Sequence, residues 1–163
     1  DIARLLAENF ELLENSAEVS PRHRLEIALD PPTAHLLGDP DQVSQIFWNL
    51  ARNALRAMPE GGTLRVVGSL GRESYQFQVI DTGLGMSEEQ RANLFHPFRS
   101  FFDGGTGIGM AIVYRIVQEH GGRLHADSRP GGGTTITVEL PRDEAAAQRS
   151  AVEPALLAAS ELP

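Results

Sequence analysis

The chain has 163 residues, 41% of them hydrophobic and 22% charged, with a net charge of −8; that is room for one domain, since domains run about 100 to 200 residues, and no apolar run reaches the roughly 20 residues a bilayer-spanning helix needs. There is no cysteine and all 14 basic residues are arginine, so disulfides, thiolate nucleophiles, cysteine-ligated metals, a Walker-type phosphate loop and lysine chemistry are excluded. The acidic balance argues against nucleic acid as a partner, and no signal peptide opens the chain, so a cytoplasmic location is expected.

Ile2, Leu5, Leu6, Phe10 and Leu13 recur at helical spacing, which predicts an amphipathic helix over residues 1–15 that packs on the domain or leads into it. Residues 24–30 alternate apolar and polar and stop at Pro31 and Pro32, as a short strand does. From Asp41 to Met58 the stripe Val43, Ile46, Phe47, Leu50, Ala54, Leu55 and Met58 predicts the strongest helix, capped by Asp39 or Asp41 and ended by Pro59. Residues 63–70 and 75–80 read as a hairpin turning at Gly71. Ser87 caps a short helix to about Phe95, with Glu88 and Glu89 in its first turn. A non-periodic stretch rich in glycine and phenylalanine runs from His96 to Gly109, and a further helix covers 110–119, closed by Gly121 and Gly122. Strands at 123–128 and 134–140 finish the domain. The alanine-rich remainder, 142–163, is expected to be disordered, with a transient helix at 155–159. Strand pairs separated by helices favour an α+β two-layer sandwich over a doubly wound parallel sheet.

Three sets of residues interrupt the apolar patterns. Asn49 and Asn53 lie four apart on one helix face with Arg52 and Arg56 near them; they read either as a solvated amide pair or as a site for a hard cation and phosphate. Asp81-Thr82-Gly83-Leu84-Gly85-Met86 follows a strand, and reads either as a capped turn or as a close backbone cradle with a carboxylate that accepts hydrogen bonds. Gly104-Gly105-Thr106-Gly107-Ile108-Gly109 opens a helix, where amides behind a glycine-rich loop form an anion site. A dinucleotide fingerprint fails there, because Met110 takes the third glycine position and no strand leads into the loop. Phe95, Phe98, Phe101 and Phe102 fall within eight residues, as a docking lid or a partner-binding patch would need.

In that order, NLARNALRAM (49–58), DTGLGM (81–86), LFHPF (94–98) and GGTGIGM (104–110) resemble the N, G1, F and G2 boxes of the ATP-binding catalytic domain of sensor histidine kinases, within the superfamily of gyrase, Hsp90 and MutL. The likeness covers about 24–140, and the short spacing between the F and G2 boxes resembles the nitrogen-regulatory type. It implies the Bergerat fold, a two-layer α/β sandwich whose mixed, mainly antiparallel sheet is covered on one face by helices, with the catalytic domain at 24–141 and a lead-in helix and connector at 1–23. It implies ATP and Mg²⁺ as ligands. Asp81 would accept the adenine amino group, Gly83 and Gly85 would let the base approach, and Met86 and Ile80 would line its pocket. Asn53 would ligate Mg²⁺ with help from Asn49, and Gly105, Thr106, Gly107 and Gly109 would wrap the phosphates. Arg56 stands where the family often has lysine, and Arg99 replaces a lid lysine as the contact to the γ-phosphate.

The superfamily's ATPases carry a glutamate base where Asn49 stands, and an amide cannot take a proton from water. The resemblance therefore favours transfer of the γ-phosphoryl group to a histidine over hydrolysis. None of the five histidines, His23, His35, His96, His120 and His125, is followed by an acid on a long helix, so the acceptor is expected on a separate dimerisation domain. The expected partners are that domain and, indirectly, a response regulator; the full-length protein would be a homodimer, either cytoplasmic or a membrane-anchored sensor of which this is the cytoplasmic part, and this piece a monomer. The alternatives are a nucleotide-binding switch without transfer activity, or an ATPase or serine kinase of the same superfamily.

Overall fold

A computed structural model describes residues 1–96 and 107–142. In chain order the elements are α1 (Ile2–Glu14), β1 (His23–Asp30), α2 (Pro40–Arg56), β2 (Gly62–Leu70), β3 (Ser74–Asp81), α3 (Glu88–Asn93), α4 (Gly109–Glu119), β4 (Arg123–Ser128) and β5 (Thr134–Pro141). The strands form one sheet in the order β1-β2-β3-β5-β4. Only β1 and β2 run parallel; the other three pairs are antiparallel.

Period-2 alternation decides which face of the sheet is covered. Tyr75, Phe77, Val79 and Asp81 of β3 are all buried, while Gln76, Gln78 and Ile80 between them are not. Pairing aligns these buried positions across strands: Val66, Val79, Ile136 and Ala126 form one inner row, and Phe77 and Val138 belong to the next. Helices α1, α2 and α4 close over this face with Leu6, Phe10 and Leu13, then Phe47 and Leu50, then Val113 and Ile116. The two-layer sandwich expected from the sequence is the fold observed.

Local chemistry explains the element ends. Asp39 is the N-cap of α2, its carboxylate accepting from the Asp41 amide at 2.9 Å, with Pro40 at the first helical position. Ser87 and Gln90 form a reciprocal capping box on α3. Helix α2 stops at Arg56, short of the expected Met58, because the Ala57 carbonyl accepts the Leu84 amide at 2.9 Å instead of a further helical amide. Helix α3 stops at Asn93, short of Phe95, and Leu94 turns inward to 8% exposure. Strand β1 begins one residue early: the His23 ring is clamped between the Ser20 amide at 3.0 Å and the Met58 carbonyl at 2.9 Å. A side chain on Gly68 would run into Leu29 and the Tyr75 phenol; that hydroxyl has no partner among the described residues, and burial pushes its pKa up. The expected tail and its transient helix lie outside the described residues, apart from Arg142.

Candidate functional site

The C-terminal end of β3 delivers Asp81 to the floor of a cleft between the sheet and helices α2 and α4. Apolar walls come from Leu50, Ala54 and Ala57 of α2, Val79 and Ile136 of the sheet, and Met86, Leu94 and Met110; the polar groups facing in are Asn53, Asp81 and Thr134. A mostly apolar concavity with a few converging polar groups is the usual form of a small-molecule site.

Asp81 is 7% exposed, and its Oδ1 accepts from the Gly83 amide at 2.8 Å. Burial pushes its carboxyl pKa above the ordinary range, while the amides of Gly83 and Thr134 pull the other way. Asp81 thus caps its own turn, one of the two readings of the sequence, and also brings a buried carboxylate to the cleft.

The 81–86 loop is held in place from two sides. Leu84 donates to the Ala57 carbonyl at 2.9 Å, and its own carbonyl accepts from Gly131 at 2.7 Å; Gly133 donates to the Gly83 carbonyl at 3.1 Å. A Cβ on Gly83 would strike the Ala57 carbonyl, and one on Gly85, which has φ 67°, would strike the Arg129 carbonyl. Both glycines are thus required by backbone packing behind the cleft.

The two asparagines differ. Asn49 Nδ2 donates to the Gln45 carbonyl at 2.8 Å, and its Oδ1 lies 2.7 Å from where a Cβ of Gly109 would stand. The Asn53 side chain has no hydrogen-bond partner among the described residues and faces the cleft, so its carbonyl oxygen is available to a hard cation. Among the described residues no cluster of three histidine or acidic side chains offers an alternative metal site. Gly109 begins α4, and no side-chain cap bond is made at its N-cap among the described residues; amides at a helix start behind a glycine-rich loop are where an anion binds. Gly107 has φ 67°, a conformation glycine adopts freely. A cation held at Asn53 with an anion at the start of α4 is chemistry this donor set fits.

Two expectations change. Ile80 is not among the residues lining this cleft: alternation along β3 turns Val79 and Asp81 inward and sends Ile80 to the opposite face, where it borders a second groove with Thr82 and Thr135 that also reaches Asp81 and Thr134. Arg52 is unavailable for phosphate, since it is paired with Glu18 at 2.9 Å and lies 5.2 Å over the Trp48 ring. Arg56 is exposed on the last turn of α2 without an ion pair among the described residues. Phe95 stacks on Tyr114 with ring centroids 6.1 Å apart. Phe98, Arg99, Phe101, Phe102, Gly105 and Thr106 lie outside the described residues.

Sequence reading missed Val79, Leu94, Met110 and Thr134 as cleft residues. Thr134 sits in a run, TTITV, that signals only a strand; nothing short of the pairing of β5 with β3 places it opposite Asp81.

The fold and cleft define a class, and comparison with known proteins agrees. The chain belongs to the histidine kinase-, DNA gyrase B- and HSP90-like ATPase family, whose model matches residues 38–144. It is 30% identical over 91% of its length to sporulation kinase E of Bacillus subtilis, and 34% identical over 86% to the sensor histidine kinase ZraS of Klebsiella oxytoca. It spans 20% of the first protein and 30% of the second. Among solved structures, the catalytic domain of histidine kinase ThkA matches with a TM-score of 0.76 at 24% identity, covering 85% of this chain and 91% of that one, a likeness of fold. Full-length ShkA in complex with AMPPNP matches with a TM-score of 0.71 at 32% identity, covering 87% of this chain and 30% of that one.

Proposed function

We propose that this chain binds ATP with Mg²⁺ and donates the γ-phosphoryl group to a histidine on a separate dimerisation domain, as the kinase of a two-component system. The observation that carries the reading is the convergence on one cleft of a buried Asp81, an Asn53 side chain without a hydrogen-bond partner among the described residues, and the first turn of α4 at Met110. Asp81 accepts the adenine amino group, and the apolar walls take the ring faces. Asn53 holds Mg²⁺, which supplies charge neutralisation at the phosphates. The amides of Gly105, Thr106, Gly107 and Gly109 and the side chains of Arg56 and Arg99 carry the phosphate charge. Transfer forms a bond from phosphorus to an imidazole nitrogen and breaks the bond to the ADP oxygen, so positioning and electrostatics supply most of the catalysis.

Asn49 weighs against the ATPase reading. Its Nδ2 is tied to the Gln45 carbonyl, and its amide cannot serve as a base for water. No helix among the described residues is long and apolar enough to cross a membrane; we assign the domain to the cytoplasm, in a homodimer whose phosphoryl group passes to a response regulator. The catalytic unit runs over 24–141, with α1 adding to its core.

Titration with ATP and ADP, with and without Mg²⁺, tests the binding step, and Asp81→Asn is expected to weaken both nucleotides. Mixing the chain with its dimerisation domain and radiolabelled ATP tests transfer. Nucleotide binding without label on the acceptor would leave only a switch module; steady phosphate release by the chain alone would favour an ATPase.

A further inference from the structure

Asp81 and Thr134 at the floor of the cleft continue, one strand further on, into Ser128, a row of three polar side chains. Asp81, Thr134 and Ser128 pair directly across β3, β5 and β4, so all three point to the inner face. The next row, Val79, Ile136 and Ala126, is apolar and buried.

Ser128 is the node of this row. Its hydroxyl accepts from the Met86 amide at 2.8 Å, donates to the Gly133 carbonyl at 3.0 Å, and lies 2.9 Å from Thr134 Oγ1. A serine hydroxyl has one proton and two lone pairs. The Met86 amide occupies one lone pair. The Gly133 carbonyl only accepts, and no other donor reaches it among the described residues, so the proton goes there. The contact between the two hydroxyls must then run from Thr134 to Ser128. With its proton turned away, Thr134 presents lone pairs to the cleft beside the Asp81 carboxylate.

We propose that Ser128 is a positioning residue that holds the Thr134 hydroxyl as an acceptor and so makes the cleft select a purine with an amino group at position 6 over one with a carbonyl. This rests on the reading of the cleft as the base site of a nucleotide. Two neighbouring acceptors match the two N–H bonds of one amino group, directly or through one water. A 6-carbonyl brings its oxygen against both acceptors, and a site built to accept hydrogen bonds rejects a ligand that cannot give them. A threonine hydroxyl free to rotate would simply donate to that carbonyl. Discrimination by Thr134 therefore depends on Ser128, which lies one strand further from the base.

The experiment is titration of the 163-residue chain with ADP and with inosine diphosphate. The wild type is expected to prefer ADP by about 100-fold, the scale of one or two hydrogen bonds to a charged group. Ser128→Ala frees the Thr134 proton: ADP affinity falls while inosine diphosphate affinity holds or rises, and the preference drops about tenfold. Ser128→Thr restores the preference. Thr134→Val lowers it as Ser128→Ala does, and adding Ser128→Ala to Thr134→Val changes it no further. A Ser128→Ala chain that loses affinity for both nucleotides by the same factor is a merely structural variant, and that outcome overturns the proposal. Failure of Ser128→Thr to restore the preference overturns it too. Should circular dichroism show Ser128→Ala unfolded, Thr134→Val decides, and an unchanged preference there overturns the proposal. A wild-type chain that binds no ADP, or that is indifferent to Asp81→Asn, overturns the nucleotide reading itself and this inference with it, whereas the earlier outcomes overturn the inference alone.

Discussion

Asp81 pulls stability and binding in opposite directions. The unfolded chain releases its proton near the ordinary 3.8, while the native chain holds it to a higher pH because burial disfavours the charge. Between those values the native state binds more protons, so stability falls as pH rises through the window and stays lowered at neutral pH. Asp81→Asn removes the charge and keeps an oxygen to accept from Gly83. It is expected to raise the Tm at pH 7 while weakening ATP about 10- to 100-fold, and the Tm gain should vanish as pH drops below the ordinary carboxyl value. Thermal melts across pH, run beside nucleotide titrations, check both halves; a lower Tm at pH 7 with intact binding would contradict them. Asn53 is tested apart from Asp81. Asn53→Ala should abolish the increment in ATP affinity that Mg²⁺ provides and leave metal-free ADP binding within about twofold, since a half-buried amide without a hydrogen-bond partner among the described residues adds little to stability.

At the scale of elements, the site depends on how the 81–86 loop is wedged between the end of α2 and the turn from β4 to β5. Gly85 stands at φ 67° against the Arg129 carbonyl. Gly85→Ala therefore meets both a left-handed backbone and a clash, and is expected to destabilise by more than about 1 kcal/mol. Local loosening should appear as faster hydrogen exchange at the Leu84, Gly131 and Gly133 amides, whose bonds bracket the loop. Unchanged protection there would show that the wedge is not what orders the loop. Loop and turn are far apart in sequence, so DTGLGM reads as a motif without its support. The bare residues show two glycines and an acid; the turn that explains Gly85 lies more than forty positions on.

For the whole molecule, α1 is part of the core rather than an appendage. Ile2, Leu6, Phe10 and Leu13 are buried in the same cluster as the inner rows of the sheet. At about 1.5 to 3 kcal/mol per buried side chain, their loss approaches the roughly 5 to 15 kcal/mol net stability of a domain. Deletion of residues 1–15 should abolish cooperative unfolding, read by thermal circular dichroism; a sharp transition in the shortened chain would show that the catalytic unit stands without α1. The net charge of −8 also leaves attraction of a polyphosphate to a few local groups. Arg56, exposed and unpaired among the described residues, is one of them, whereas Arg52 is neutralised by Glu18.

The elements, the two-layer class and the family are legible in the residues alone, because periodicity, caps and box motifs are local and each needs only a few consecutive positions. Asn49, Asn53 and Asp81 stand out there too, as polar residues that interrupt apolar patterns. Which side of β3 meets the cleft, and so the exchange of Ile80 for Val79, emerges from the assembled sheet and helices, as do the pairing of Arg52 with Glu18 and the alignment of Thr134 and Ser128 with Asp81. The physical reason is strand register: a pairing between residues fifty positions apart leaves no trace in either segment alone, yet it places every side chain on one face or the other.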